Sequence, residues 1–243
     1  VALPLTAREA QGADIKIGII GAGHIGGNLA RRFVELGHEV KIANSRGPET
    51  LTEVAVETGA TAVPVPEAVR EVGVVVVTIP EKAIPSLPAD LFDDVGGDVV
   101  VVDTGNYYHQ RDGRIEEIEQ GTTESRWVAD QLGRPVVKAF NNVYAAHLLE
   151  RGQAAGSPGR IALPVAGDDD AAKAVVIRLV DELGFDGVDA GNLDESWRQQ
   201  PGTPVYATDH DAEGVRRALA DASRERGADF RAPDVSARVA APP

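Results

Sequence analysis

The stretch IKIGIIGAGHIGGNLARRFVELGHEVKIANSR, residues 15–46, leaves a chain few choices of fold. Residues 15–20 form an apolar run short enough for a parallel strand covered on both faces. Gly21, Gly23 and Gly26 follow in the spacing G-x-G-x-x-G. The first glycine permits a tight turn, the second lets a pyrophosphate approach the backbone, and the third lets helix and strand pack closely. A helix is predicted over residues 24–36, with Ile25, Leu29, Phe33 and Leu36 on one buried face and Gly37 as its stop. Residues 39–43 then read as a second strand. Alone the glycine pattern is weak, but strand, turn, helix and strand stand in the order that a dinucleotide site requires. The expected fold class is α/β, a Rossmann doubly wound and mostly parallel sheet. The helix N-terminus, with unpaired N–H groups, points at the phosphates.

The end of the second strand selects between dinucleotides. An NAD enzyme carries Asp or Glu about twenty residues beyond the glycines, bonded to the ribose 2′-hydroxyl. Here the residues are Asn44, Ser45 and Arg46. A hydroxyl and a guanidinium both bond a 2′-phosphate, which a carboxylate would repel, so NADP(H) is expected. Ser45 also stands where it can cap the next helix, which opens Gly47-Pro48-Glu49, and the two roles are compatible.

Composition narrows the classes of partner. A net charge of −14 argues against nucleic acid and anionic membrane surfaces. No apolar run approaches the ~20 residues of a membrane span and no signal peptide is visible, so a cytoplasmic protein is expected. With no cysteine, disulfides, thiolate catalysis and cysteine metal sites are excluded, and the histidines (24, 38, 109, 147, 210) lack metal-ligand spacing.

Further along, residues 48–58 read as helix and 61–65 as a short strand. Residues 66–71 form a helical turn, and 72–78 a strand buried on both faces. Ligands in open parallel sheets sit beyond the carboxyl ends of the strands, which brings Thr78, Ile79 and Pro80 against the cofactor, unless they form a plain strand-to-loop junction. Residues 98–103 make a fifth strand whose tip carries Thr104, Gly105, Asn106, Tyr107 and Tyr108, either a contact towards nicotinamide or a packed tyrosine lid. A helix is expected over 123–132, with Trp127 in the core. A sixth strand over 135–140 is followed by Asn141 and Asn142, amides suited to a nicotinamide carboxamide. Lys138 within that strand either points into the site or snorkels.

The loop GQAAGSPG, residues 152–159, divides the chain into an NADP-binding Rossmann domain, 14–150, and a small C-terminal α/β acceptor-site domain, 151–243. The latter is expected to hold strands over 160–166 and 185–190. Between them lies a helix capped by Asp168 and running to Leu183, with Val175, Leu179, Val180 and Leu183 inward. The segment ESWRQQPGTPVY, 195–206, suits a binding loop or a packed subunit contact. A final helix is expected over 211–226, and residues 1–13 and the tail read as loose.

The segments IGIIGAGHIGG, NSRGPE, VVVVTIP and KAFNN, with the strand–helix–strand after them, resemble the family of coenzyme F420-dependent NADP oxidoreductases. The dinucleotide part is also similar to the cytoplasmic domain of transmembrane ferric reductases. The resemblance covers roughly residues 14–190. It implies hydride transfer between NADPH and an 8-hydroxy-5-deazaflavin, coenzyme F420, lying over the nicotinamide. By the same resemblance Gly21, Gly23, His24, Ile25 and Gly26 hold pyrophosphate, Ser45 and Arg46 the 2′-phosphate, and Thr78, Ile79 and Pro80 line the path between. Family members commonly carry a histidine near the position of Asn141.

Hydride transfer between two bound rings needs close alignment rather than a general acid. That suits a region of amides and tyrosines, with Asn106 and Asn141 at the cofactor and Asn141, Tyr107 and Trp197 shaping the acceptor pocket. Three other readings stand beside it. One is an imine, pyrroline-carboxylate or β-hydroxyacid reductase, against which the C-terminal strands count. Another is a flavin or ferric-chelate reductase, and the third a non-catalytic NADPH sensor. The expected partner is a small-molecule hydride acceptor, and a homodimer is the base-rate expectation.

Overall fold

The computed structural model describes residues 15–233. The expectations for residues 1–13 and for the tail beyond 233 lie outside these.

Six strands form one parallel sheet: β1 (Lys16–Ile20), β2 (Glu39–Ala43), β3 (Thr61–Ala62), β4 (Val74–Val77), β5 (Val100–Asp103) and β6 (Val137–Lys138). Their order is β3-β2-β1-β4-β5-β6, the doubly wound arrangement in which the winding reverses between β1 and β4. Side chains alternate between the two covered faces. Ile17, Ile19, Val74, Val76, Val100 and Val102 enter one core, while Ile20, Val75, Val77 and Val101 enter the other.

The first core is covered by α1 (His24–Glu35), through Leu29 and Phe33. Leu36, expected on this face, is 41% exposed because the helix has already ended. Around the adenosine edge follow α2 (Thr52–Thr58) and α3 (Val65–Ala68); the expected strand over 61–65 is cut short where the α3 turn begins. Three short helices that the sequence reading did not anticipate lie between β5 and the C-terminal unit: α4 (His109–Asp112), α5 (Glu116–Glu119) and, after β6, α7 (Ala145–Glu150). The intervening α6 (Glu124–Leu132), capped by Thr123, places Trp127 in the second core.

Two more strands, β7 (Ala162–Val165) and β8 (Asp186–Asp189), pair in parallel around α8 (Asp170–Glu182). A single antiparallel bridge, Lys138 to Ala166, joins them to the large sheet, with N–H···O distances of 2.7 and 3.0 Å. The first core is continuous across this seam, since Val165, Val176, Leu179 and Phe185 pack with Val137 and Phe33 in one cluster. Helix α1 is tied by polar bonds to α7 and to this C-terminal unit. Arg32 donates to the carbonyls of Leu149 (3.0 Å) and Leu183 (2.9 Å), and Asn28 to that of Ala145 (2.7 Å).

Details of the C-terminal half differ from expectation. Asp169, not Asp168, caps α8, while Asp168 bonds Arg126 (2.7 Å) and the Leu193 N–H (3.0 Å). Val176 rather than Val175 is fully buried. The last helix, α9 (Ala212–Ala220), is shorter than 211–226. Part of the expected binding loop is a 3-10 helix, Leu193–Gln199, which buries every third residue, Leu193, Ser196 and Gln199.

Candidate dinucleotide and acceptor site

The β1–α1 turn meets each steric demand of a pyrophosphate cradle. Gly21 has φ 117°, and a Cβ there would stand 2.2 Å from the Thr78 carbonyl oxygen. A Cβ on Gly26 would stand 2.0 Å from the Gly21 oxygen, so helix and strand touch backbone to backbone. Gly23 is different: a Cβ there meets no atom within 4 Å. Its lack of a side chain is therefore not required by the protein's own packing, and the space in front of it is what a phosphate would fill. No side chain caps α1 and its first turn holds no acid, which leaves the early N–H groups of His24, Ile25 and Gly26 for an anion.

At the β2 tip, Asn44 shapes the loop. Its Oδ1 accepts the Arg46 N–H (2.9 Å) and its Nδ2 donates to the Thr50 hydroxyl (2.9 Å). This Asx turn leaves Ser45 and Arg46 exposed. Among the described residues, the Arg46 guanidinium has no ion pair and no hydrogen bond. Asn44 therefore holds the loop, and Ser45 with Arg46 faces solvent on the cofactor edge.

Thr78, Ile79 and Pro80 follow β4 half-buried, with the Thr78 N–H bonded to the Ile20 carbonyl at 2.8 Å, beside Gly21. At the tips of β5 and β6, Asn106 and Asn141 are tied to one another: Asn106 donates to the Asn141 carbonyl (2.8 Å) and Asn141 Nδ2 to Asn106 Oδ1 (3.1 Å). Asn141 also donates to the Gln199 carbonyl (2.6 Å) and accepts from Gln199 Nε2 (3.1 Å).

The three residues expected to shape the acceptor pocket thus need correction. The Asn141 amide is consumed as a clamp between β5, β6 and the 3-10 helix. Tyr107 is wholly buried, its hydroxyl 2.9 Å from both the Gly113 carbonyl and the Glu119 carboxylate, and burial pushes its pKa up to about 12. Trp197 lies beneath two guanidinium groups, Arg198 at 4.4 Å and Arg224 at 5.1 Å. Groups left with an open edge near the β5 and β6 tips are Tyr108, whose hydroxyl meets that of Tyr206, and Tyr144, half exposed at the start of α7. Asn142 is buried with both amide atoms lacking a partner among the described residues.

Beneath these tips lies a buried charged layer that the sequence reading missed. Lys138, neither snorkelling nor facing the site, is fully buried and donates to Asp103 (3.1 Å) and to the Gly105 carbonyl. Asp103 further accepts from Ser125 (2.7 Å) and the Gly105 N–H (2.8 Å). Burial opposes the Lys138 charge, but Asp103, Glu124 and Glu81 outweigh it and hold the ammonium above its ordinary range. Glu81 bonds Arg111 (2.8 Å) and Glu124 bonds Arg226 (2.6 Å). Burial, then the charge of Glu124, raises the Glu81 carboxyl well above the usual carboxylate range, and burial lifts Glu124 to about 7. A detectable signal was present: an acid and a base interrupt two otherwise apolar strands, and Asp103 and Lys138 are register partners.

The folded-state values of Glu81 and Glu124 are both raised, so the folded protein binds protons that the unfolded chain has released. The contribution of these two groups to stability is fully present below about pH 4.5 and is lost as pH rises towards 7, by roughly a few kcal/mol. Glu124→Gln should flatten that decline, which urea unfolding at a series of pH values would register.

Among the described residues no helix is long and apolar enough to cross a membrane, and no His, Asp and Glu cluster could hold a metal ion.

Comparison with known proteins agrees with this geometry. Residues 16–107 match the family NADP oxidoreductase coenzyme F420-dependent. The crystal structure of the hypothetical protein SMa0349 from Sinorhizobium meliloti is 33% identical, with a TM-score of 0.67, over 84% of this chain and 98% of that one. A proposed F420-dependent NADP-reductase from Arthrobacter sp. FB24 shares the fold at 24% identity, with a TM-score of 0.60, over 73% of this chain and 85% of that one. The Escherichia coli K12 protein YjhV is 49% identical over 72 residues, 30% of this chain and about half (53%) of YjhV. The fold and its glycine turn are those of the NAD(P)-dependent oxidoreductases. Within that class the chain belongs to the coenzyme F420-dependent NADP oxidoreductase family.

Proposed function

We propose that the protein transfers a hydride between NADPH and a deazaflavin coenzyme of the F420 type. The observation that carries the cofactor half is the Asn44 turn, which leaves Ser45 exposed and Arg46 exposed without a partner among the described residues, with Asn44, Ser45 and Arg46 where an NAD enzyme has a carboxylate. Family membership supports the acceptor half.

In this reading the N–H groups of His24, Ile25 and Gly26 bind pyrophosphate, with Gly21 and Gly23 giving it access. Ser45 and Arg46 bind the 2′-phosphate. Thr78, Ile79 and Pro80 line the path to the β4 tip. The clamp between Asn106 and Asn141 fixes the β5 and β6 tips, so the edge against which two rings would stack is rigid before binding. Bound NADPH supplies the hydride. The protein's part is orientation and exclusion of water, with Tyr108, Tyr144 and Tyr206 offering flat surfaces and hydroxyls. The pair β7–β8 favours this over an imine or β-hydroxyacid reductase, whose C-terminal half is mostly helical.

Anaerobic mixing with NADPH and coenzyme F420 tests the proposal. Loss of the deazaflavin absorbance band at turnover rates is expected, much slower with NADH. Tight NADPH binding without bleaching would overturn the acceptor and favour a flavin, a ferric chelate or a sensing role.

A further inference from the structure

We infer that Glu81 and Glu124, buried beneath the tips of β4 and β5, set which oxidation state of the nicotinamide cofactor the protein prefers. The inference rests on the cofactor reading above. In a sheet of this order the nicotinamide half of the dinucleotide lies on the β4–β5 side of the point where the winding reverses. Glu81 directly follows Thr78-Ile79-Pro80 at the β4 tip. A Cβ on Gly105, at the β5 tip, would stand 2.5 Å from Glu81 Oε1, so that carboxylate touches the tip backbone from below. Glu124 opens α6 and is 0% exposed.

Each carboxylate spends one oxygen on an arginine. Glu81 Oε2 meets Arg111, and Glu124 Oε1 meets Arg226. The other oxygens, Glu81 Oε1 and Glu124 Oε2, are buried and have no hydrogen-bond partner among the described residues. A buried carboxylate oxygen left so is costly, and a proton on the pair relieves part of that cost.

The groups that face the pair come from every element around it. Asp103 comes from β5, Tyr108 from the turn after it, Lys138 from β6, Arg111 and Asp112 from α4, and Arg226 from the segment after α9, its guanidinium 5.0 Å above the Tyr107 ring. Four carboxylates (Glu81, Glu124, Asp103, Asp112) thus oppose three fixed cations (Lys138, Arg111, Arg226). Fully ionised, the layer carries one negative charge in excess; with one proton it is neutral. Oxidised nicotinamide carries a positive ring charge and the reduced ring none. The ionised layer therefore favours NADP⁺, and the protonated layer is indifferent. Burial brings this change into the neutral range.

The test needs no acceptor. Dissociation constants of NADP⁺ and NADPH are measured by calorimetry at pH values well below and well above 7, and their ratio is followed. The 2′-phosphate titrates alike in both forms and cancels in the ratio. In the wild type the ratio should move towards NADP⁺ by roughly tenfold as pH rises. Tenfold is the order of effect expected of one unit charge in a partly buried setting at an effective dielectric of about 20. Glu124→Gln and Glu81→Gln, each nearly isosteric, should hold the low-pH ratio throughout, with thermal melting confirming the fold of each. A flat wild-type ratio, or variants that track the wild type, would overturn the inference alone. Failure of the wild type to bind either dinucleotide would instead overturn the cofactor reading beneath it.

Discussion

Arg46→Ala should weaken NADPH binding by roughly tenfold to a hundredfold and leave NADH binding almost unchanged. The size follows from the setting. The guanidinium is exposed and has no carboxylate partner among the described residues, so its interaction with a phosphate is gained on binding. The Arg46 N–H is held on Asn44, which keeps the backbone of the turn in place when the side chain is shortened. Because much of the interaction is between exposed charges, added salt should shrink the difference between wild type and variant. Fluorescence titration with both dinucleotides at two ionic strengths measures this. Equal losses for NADPH and NADH would remove Arg46 from the 2′-phosphate.

Gly23→Ala and Gly26→Ala should separate binding from folding, although the two residues are three positions apart. At Gly23 the added methyl meets no protein atom, and φ is an ordinary −78°. The cost to the fold is that of a slightly poorer helix cap, about 0.5 kcal/mol. The methyl stands where a pyrophosphate would lie, and dinucleotide affinity should fall by roughly tenfold to a hundredfold. At Gly26 the methyl would stand 2.0 Å from the Gly21 carbonyl oxygen, and neither backbone can give way without lifting α1 off the sheet. About 3 kcal/mol or more of stability should be lost. Thermal melting beside NADPH titration reads both outcomes. A Gly23→Ala protein that binds NADPH like the wild type would remove the turn from the cofactor site.

The parts of the molecule that were legible before the structure are those governed by local rules. The glycine turn and the covered strands depend on neighbours in sequence, and the structure has them where the pattern put them. Boundaries slipped where tertiary contacts decide: β6 is two residues long, the chain turning out of the sheet at Phe140 with φ 62°, and α9 ends before Ser223 and Gly227. The acceptor side was hardest to read, because composition locates polar residues but not their partners. Tyr107 and Tyr108 are adjacent, yet one is sealed in the core and the other reaches Tyr206. Asn141 and Asn142 are likewise adjacent, and one amide is fully used while the other has no partner. Asp103 and Lys138 betray themselves by interrupting apolar strands, but Glu81 and Glu124 are far from them in sequence and each taken singly resembles a surface residue.

The seam between the two sheets bears on how such a chain can change over evolutionary time. One bridge of backbone bonds spans it, but a single core and the Arg32 side chain cross it too. An exchange of the C-terminal unit between relatives would have to bring matching partners for Phe33, Val137 and Arg32. Recombination at residues 152–159 is therefore penalised although the loop itself is permissive. Point changes at the exposed strand tips meet no such constraint.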